Sequence, residues 1–184
     1  SQLRGENDDK IDVSARNRAE RILLDEEAEN PSPEVFHSLG RLHLSKKEFD
    51  EAAKQLEKAR RLAPQSPEIL SDAGTAYLEK SKTLPESEKK IELQSQALES
   101  FDKALEQNPR FLPALFNRAY CLQLLNLPNQ AKEAWQKYLE FDSASKWAEE
   151  ARANLQSLEE ENNAEISAER LEEMFSAFIA EQNE

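Results

Sequence analysis

The chain has 184 residues, with 37 acidic against 24 basic side chains and a formal net charge of −13. Phosphate-backbone binding draws on clustered Lys and Arg; basic residues here never run beyond pairs such as Arg60-Arg61 and Lys89-Lys90, so nucleic acid is not an expected partner. The single cysteine excludes an intramolecular disulfide, and no run approaches the roughly 18 apolar residues of a membrane span, which makes a cytoplasmic protein the expectation.

Ala, Leu, Glu, Lys, Gln and Arg dominate, while glycines number only three. These are the strong helix formers, so the expected fold class is all-α. Residues 1–10 are polar and expected to be disordered. The first residue is Ser rather than Met, which suggests a piece of something longer. Residues 11–30 read as an N-terminal capping helix, with Ala15, Ala19, Ile22, Leu23 and Ala28 on one apolar face.

A repeated pattern then begins. Residues 31–66 contain Phe36, Leu39-Gly40, His43, Ala52, Leu56, Ala59 and Pro64. Residues 67–111 repeat it with Leu70, Ala73-Gly74, Tyr77, Ala97, Phe101, Ala104 and Pro109. Residues 112–145 give Leu115, Arg118-Ala119, Leu122, Ala131, Trp135 and Tyr138. The second unit is 11 residues longer between Tyr77 and Ala97 than its neighbours; Pro85 marks the expected turn and residues 86–108 a long second helix. The third has Arg118 where the others have Leu or Ala, and Ser143 where a helix-stopping proline is expected.

Residues 146–160 place Trp147, Ala148, Ala151, Leu155 and Leu158 on one face and read as a C-terminal capping helix. A polar stretch from Glu159 to Glu165 reads as a hinge or frayed end. Within 161–184, Leu171, Met174, Phe175, Phe178 and Ile179 form a terminal amphipathic helix, and its 166–180 face offers a route to self-association.

These units resemble the tetratricopeptide repeat, whose pattern of about 34 residues runs W-x2-L-G-x2-Y, A-x3-F and P. The resemblance implies an α-α superhelix, a solenoid of about three helix pairs with flanking capping helices. Gly40, Gly74 and Ala119 would then lie where the two helices of a pair cross closely. Ala52, Ala97 and Ala131 would be their small counterparts, with Leu56, Phe101 and Trp135 the knobs between helices. Over residues 20–158, the wording Leu115-Phe116-Asn117-Arg118-Ala119, Ala134-Trp135-Gln136-Lys137-Tyr138-Leu139 and Lys146-Trp147-Ala148-Glu149-Glu150-Ala151 is also similar to the N-terminal repeat modules of bacterial CHAT-domain proteins. Those carry a caspase-like peptidase domain elsewhere, which would make this chain a sensing or recruiting segment.

Catalytic chemistry finds little support. A nucleophilic cysteine needs a histidine beside it, and Cys121 falls mid-helix, two repeats from His37 and His43. The two histidines are six residues apart, on different helix faces, whereas zinc sites on one helix favour a spacing of three or four. No Gly-rich phosphate loop occurs. No enzyme activity, cofactor or metal is expected.

The repeat family instead implies binding of a protein or peptide in a concave groove lined by the first helix of each pair. The groove positions are Glu34, His37, Arg41 and Leu44, then Glu68, Ser71, Thr75 and Leu78, then Pro113, Phe116, Tyr120 and Gln123, with Asn117 beside them. Family members that grip chaperone tails hold a carboxylate with Lys and Asn where this chain has His37 and Arg41. Glu34 and Glu68 would repel such a tail. Phe116 and Tyr120, one turn apart, are expected either to form an aromatic anchor or to pack internally. A regulatory module of a larger CHAT-type enzyme and a self-assembling scaffold are the alternative functions.

Overall fold

The computed structural model describes residues 13–160, and beyond them 164, 170 and 172. Seven helices run α1 Val13–Glu29, α2 Pro33–Ser45, α3 Phe49–Leu62, α4 Pro67–Lys82, α5 Glu88–Gln107, α6 Leu112–Leu124 and α7 Pro128–Phe141. An eighth, α8, occupies residues 146–160. No strand occurs among the described residues. Leu171, Met174, Phe175, Phe178 and Ile179, the face expected to offer self-association, lie outside them, as does the N-terminal stretch 1–10.

Helix starts are written locally. Ser32-Pro33-Glu34 and Ser66-Pro67-Glu68 recur 34 residues apart. Ser32 Oγ accepts from the Val35 amide and Ser66 Oγ from the Ile69 amide, both at 3.3 Å. Each satisfies an amide left without an intrahelical partner, while proline fills a first-turn position whose N–H has none anyway. Turns between paired helices use left-handed residues: Lys47 at φ 60° and Asn126 at φ 55° hold equivalent places in the first and third units. In the second unit the insertion replaces that tight turn. Both arms lengthen, giving an α5 of 20 residues against 14 for α3 and α7.

The small residues expected at the helix crossings do lie in close contact, with the large side chains of Leu56 and Phe101 as the nearest groups. A Cβ built on Gly40 would come within 2.5 Å of Leu56 Cγ, and one on Gly74 within 2.6 Å of Phe101 Cε1 and 3.0 Å of the Ala97 carbonyl oxygen. Ala119 lies in the cluster around Trp135. Leu56, Phe101 and Trp135 are all fully buried. The cores of successive pairs are thus separate clusters joined along the array, as in a structure where each repeat touches only its neighbours.

The array continues past residue 143 despite the missing proline. Asp142 accepts from Tyr138 Oη at 2.6 Å and from the Ser145 amide at 3.1 Å. Ser145 Oγ in turn accepts from the Trp147 and Ala148 amides at 3.1 and 3.2 Å, starting α8. The Ser145 hydroxyl and then Tyr138 hold the Asp142 carboxyl down to about 2. Ala148, Ala151 and Leu158 are buried, and Trp147 and Leu155 pack on the third unit.

The other end departs from expectation. Of the apolar face read on α1, Ala15 and Leu23 are half-buried, but Ala19 and Ala28 face solvent and Ile22 is 63% exposed. Ion pairs join this helix to the array: Lys46 Nζ donates to Glu20 at 2.9 Å and Lys58 Nζ to Glu27 at 2.5 Å. Lys46 also lies 3.0 Å from Glu48, which His43 Nδ1 reaches at 2.7 Å. The Glu20, His43 and Glu48 donor atoms fall within 4.8 Å of one another, and the Lys46 ammonium supplies the positive charge among them. Bonds to Glu20 and then Glu48 raise the Lys46 pKa; bonds from His43 and then Lys46 lower that of Glu48.

Candidate interaction groove

The first helices of the pairs, α2, α4 and α6, stand side by side, and their facing residues are bridged. His37 Nε2–H on α2 donates to Asp72 Oδ2 on α4 at 2.8 Å. Arg41, one turn along α2, brings its Nε within 3.7 Å of the same oxygen. One repeat later, Asn117 Nδ2 on α6 donates to Thr75 Oγ1 on α4 at 3.1 Å, and Thr75 Oγ1 donates to the Ser71 carbonyl at 3.0 Å. Asp72 and Asn117 hold the same place in their repeats, the sixth residue from Pro67 and from Leu112. A carboxylate and an amide thus do equivalent bridging work at successive junctions.

The residues expected to line the groove fall into different settings. His37, Arg41, Thr75 and Asn117 take part in the bridges, and Arg41 keeps 70% of its side chain exposed. Tyr120 is half-buried, with Lys82 Nζ 5.4 Å from its ring centroid; Lys82 also pairs with Glu79 at 2.5 Å. Ser71 lies beneath the surface, only 1% exposed, and its Oγ has no hydrogen-bond partner among the described residues.

Phe116 and Gln123 belong to the packing instead. Phe116 is 7% exposed and meets Trp135, Tyr138 and Trp147 edge-on, with centroids 4.9, 5.3 and 5.1 Å apart. No aromatic platform of Phe116 with Tyr120 is presented; α8 covers the position that the repeat count assigned to the groove. Gln123 Oε1 accepts from Trp135 Nε1 at 3.3 Å. Asp72 and Lys82 are absent from the expected groove positions, although Asn117, at the place equivalent to Asp72, is among them. The shared sixth-position polarity of Asp72 and Asn117 is the signal that could have found Asp72; no such signal marks Lys82.

Away from the groove, Arg118 is explained by its partner. Its Nε donates to Asp102 Oδ1 at 2.5 Å beside a cleft of about 540 Å³ among α5, α6 and α7, floored by Leu105, Leu115 and Ala134. The position is half-exposed, so a charged group replaces Leu without entering the core. Cys121 is fully buried, and its Sγ–H donates to the Gln94 carbonyl at 3.2 Å. Burial, then the nearby Asp102 charge, pushes the thiol up to about 12, which suits a packing group and not a nucleophile. No helix among the described residues is long and apolar enough to cross a membrane.

Residues 33–66 and 100–133 each match a family model described as tetratricopeptide repeat. The second match spans the later part of α5, all of α6 and the start of α7. Solved structures of similar fold include a thermophilic TPR protein of Thermus thermophilus. It is 21% identical, with a TM-score of 0.65, covering 79% of this chain and 74% of that one. The first TPR of Spaghetti (RPAP3), solved bound to the HSP90 peptide SRMEEVD, is 17% identical with a TM-score of 0.60, covering 72% and 96%. The Sgt2 TPR domain of Aspergillus fumigatus is 20% identical with a TM-score of 0.58, covering 71% and 79%. No curated protein sequence matches the chain. These matches carry the repeat family and say nothing of CHAT-domain proteins. With these two stretches matched by sequence and a solenoid of paired helices formed around them, the chain carries tetratricopeptide repeats at residues 33–66 and 100–133.

Proposed function

We propose that this chain is a non-catalytic interaction module that holds an extended protein segment along α2, α4 and α6. The observation that carries the reading is the pair of cross-helix bridges, His37–Asp72 and Asn117–Thr75, one repeat apart. They fix polar side chains in place before a partner arrives, so less rotamer freedom is lost on binding. Arg41 and Lys82 flank them and can meet the carbonyls and side chains of a segment lying across the helices. A similar fold in the first TPR of Spaghetti accommodates a peptide, SRMEEVD; here that supports only that the architecture has room for one.

The test is affinity capture from a cell lysate with the native chain and with a Thr75→Tyr/Asn117→Ala variant. The variant fills the groove with a large side chain and removes one bridge, and circular dichroism verifies that it still folds. A protein retained by the native chain and lost from the variant supports the reading. Equal capture by both moves the function away from the groove.

A further inference from the structure

The charge of the groove points to what kind of segment it takes, an inference that rests on the groove reading above. We propose that Asp72 makes the groove selective for a basic segment: an Arg or Lys side chain of the partner takes the Asp72 carboxylate in place of Arg41.

The geometry at the α2–α4 junction carries this. At this junction the donors open to a carboxylate-bearing partner are His37 and Arg41, and both are turned to a single oxygen, Asp72 Oδ2; Lys82, further along α4, is held by Glu79 at 2.5 Å. His37 holds that oxygen closely, at 2.8 Å with 19% of the imidazole exposed, and so fixes the carboxylate's position. Arg41 holds it loosely, at 3.7 Å from a side chain that is mostly in solvent. An exposed ion pair of this length contributes little, so an incoming guanidinium or ammonium can displace Arg41 at small cost. Asp72 itself keeps 29% of its side chain accessible to such a group.

The surroundings have the matching sign. Glu34 and Glu68 are exposed on the first turns of the same two helices, and the chain as a whole carries −13. Both raise the local concentration of cationic segments and repel anionic ones. The equivalent junction one repeat along has the neutral Asn117, so charge discrimination is concentrated at Asp72. The HSP90 peptide SRMEEVD, held by a protein of similar fold, contains two Glu and an Asp; this groove is the wrong sign for it.

Fluorescence anisotropy on the full chain tests the assignment with three position-randomised, fluorescein-labelled octapeptide pools. One pool carries two Arg, one two Gln and one two Glu. The expected result is tightest binding of the Arg pool, weakened at least tenfold by Asp72→Asn and strengthened by Arg41→Ala. Asp72→Asn keeps the side-chain shape and an acceptor for His37, and circular dichroism checks its fold. An Arg preference that Asp72→Asn leaves intact overturns the assignment, since it would reflect the net charge alone. Preference for the Gln or Glu pool also overturns it, while leaving the groove reading in place if Thr75→Tyr/Asn117→Ala abolishes that binding. Binding of none of the pools overturns both.

Discussion

Phe116 and Trp147 meet edge-to-face with ring centroids 5.1 Å apart, and this contact stacks α8 on the third helix pair. The same Phe116 ring touches Trp135 and Tyr138 of α7. An aromatic side chain at the centre of such a cluster behaves as core, whatever its repeat position suggests. Phe116→Ala is therefore expected to destabilise the protein by about 3–5 kcal/mol, the usual range for emptying a buried aromatic site. Urea unfolding followed by circular dichroism measures this. A loss under about 1 kcal/mol would mean that the ring is not core. Loss of a partner in this variant would report a damaged fold, so it cannot serve to probe the groove.

The close helix crossings make a second prediction. Gly74→Ala places a Cβ within 2.6 Å of the buried Phe101 ring and 3.0 Å of the Ala97 carbonyl oxygen. Ring and backbone must both move. Overpacking of this kind costs roughly 1–3 kcal/mol, against a gain of up to about 1 kcal/mol in helix propensity. The expected balance is a lower unfolding midpoint. A higher midpoint would show that the crossing relaxes freely.

Two groups, the buried Cys121 and the half-buried Tyr77, set the response to alkali. Burial pushes the Cys121 thiol from 9.0 up to about 12. Burial, and then its hydrogen bond to Glu57, pushes the Tyr77 hydroxyl from 10.0 up to about 12. Between those values the unfolded chain releases protons that the folded chain keeps, so stability falls as pH rises. It is fully present below about pH 9 and declines toward about pH 12. Urea midpoints across this range should drop in the native chain and drop less in Cys121→Ala and Tyr77→Phe. In step with this, Cys121 should resist thiol reagents until the chain unfolds; rapid native-state labelling would contradict its burial.

The repeat was legible because its rules are steric and local: small residues at crossings, large ones between helices, proline at the ends. The resemblance to the repeat implied close helix crossings at Gly40 and Gly74, and Leu56 and Phe101 meet them there. The α1 face was misread since scattered Ala, Ile and Leu at helical spacing do not reveal whether a neighbour is there to cover them; Lys46–Glu20 and Lys58–Glu27 tie that helix instead. Within the groove, Phe116 was misplaced for a related reason. Counting positions inside one repeat cannot tell whether the next helix, here α8 with Trp147, will lie over the residue. Asp72 and Asn117 acquire meaning only across helices, where His37 and Thr75 are 35 and 42 residues away in sequence.

The most direct measurement is a nuclear magnetic resonance titration of the isotopically labelled chain with a bound peptide or captured partner segment. Amide shifts concentrated at Arg41, Asp72, Thr75, Asn117 and Tyr120, with α3, α5 and α7 unmoved, are the result expected of a groove along α2, α4 and α6. Shifts confined to the second helices of the pairs, or to α1, would contradict it.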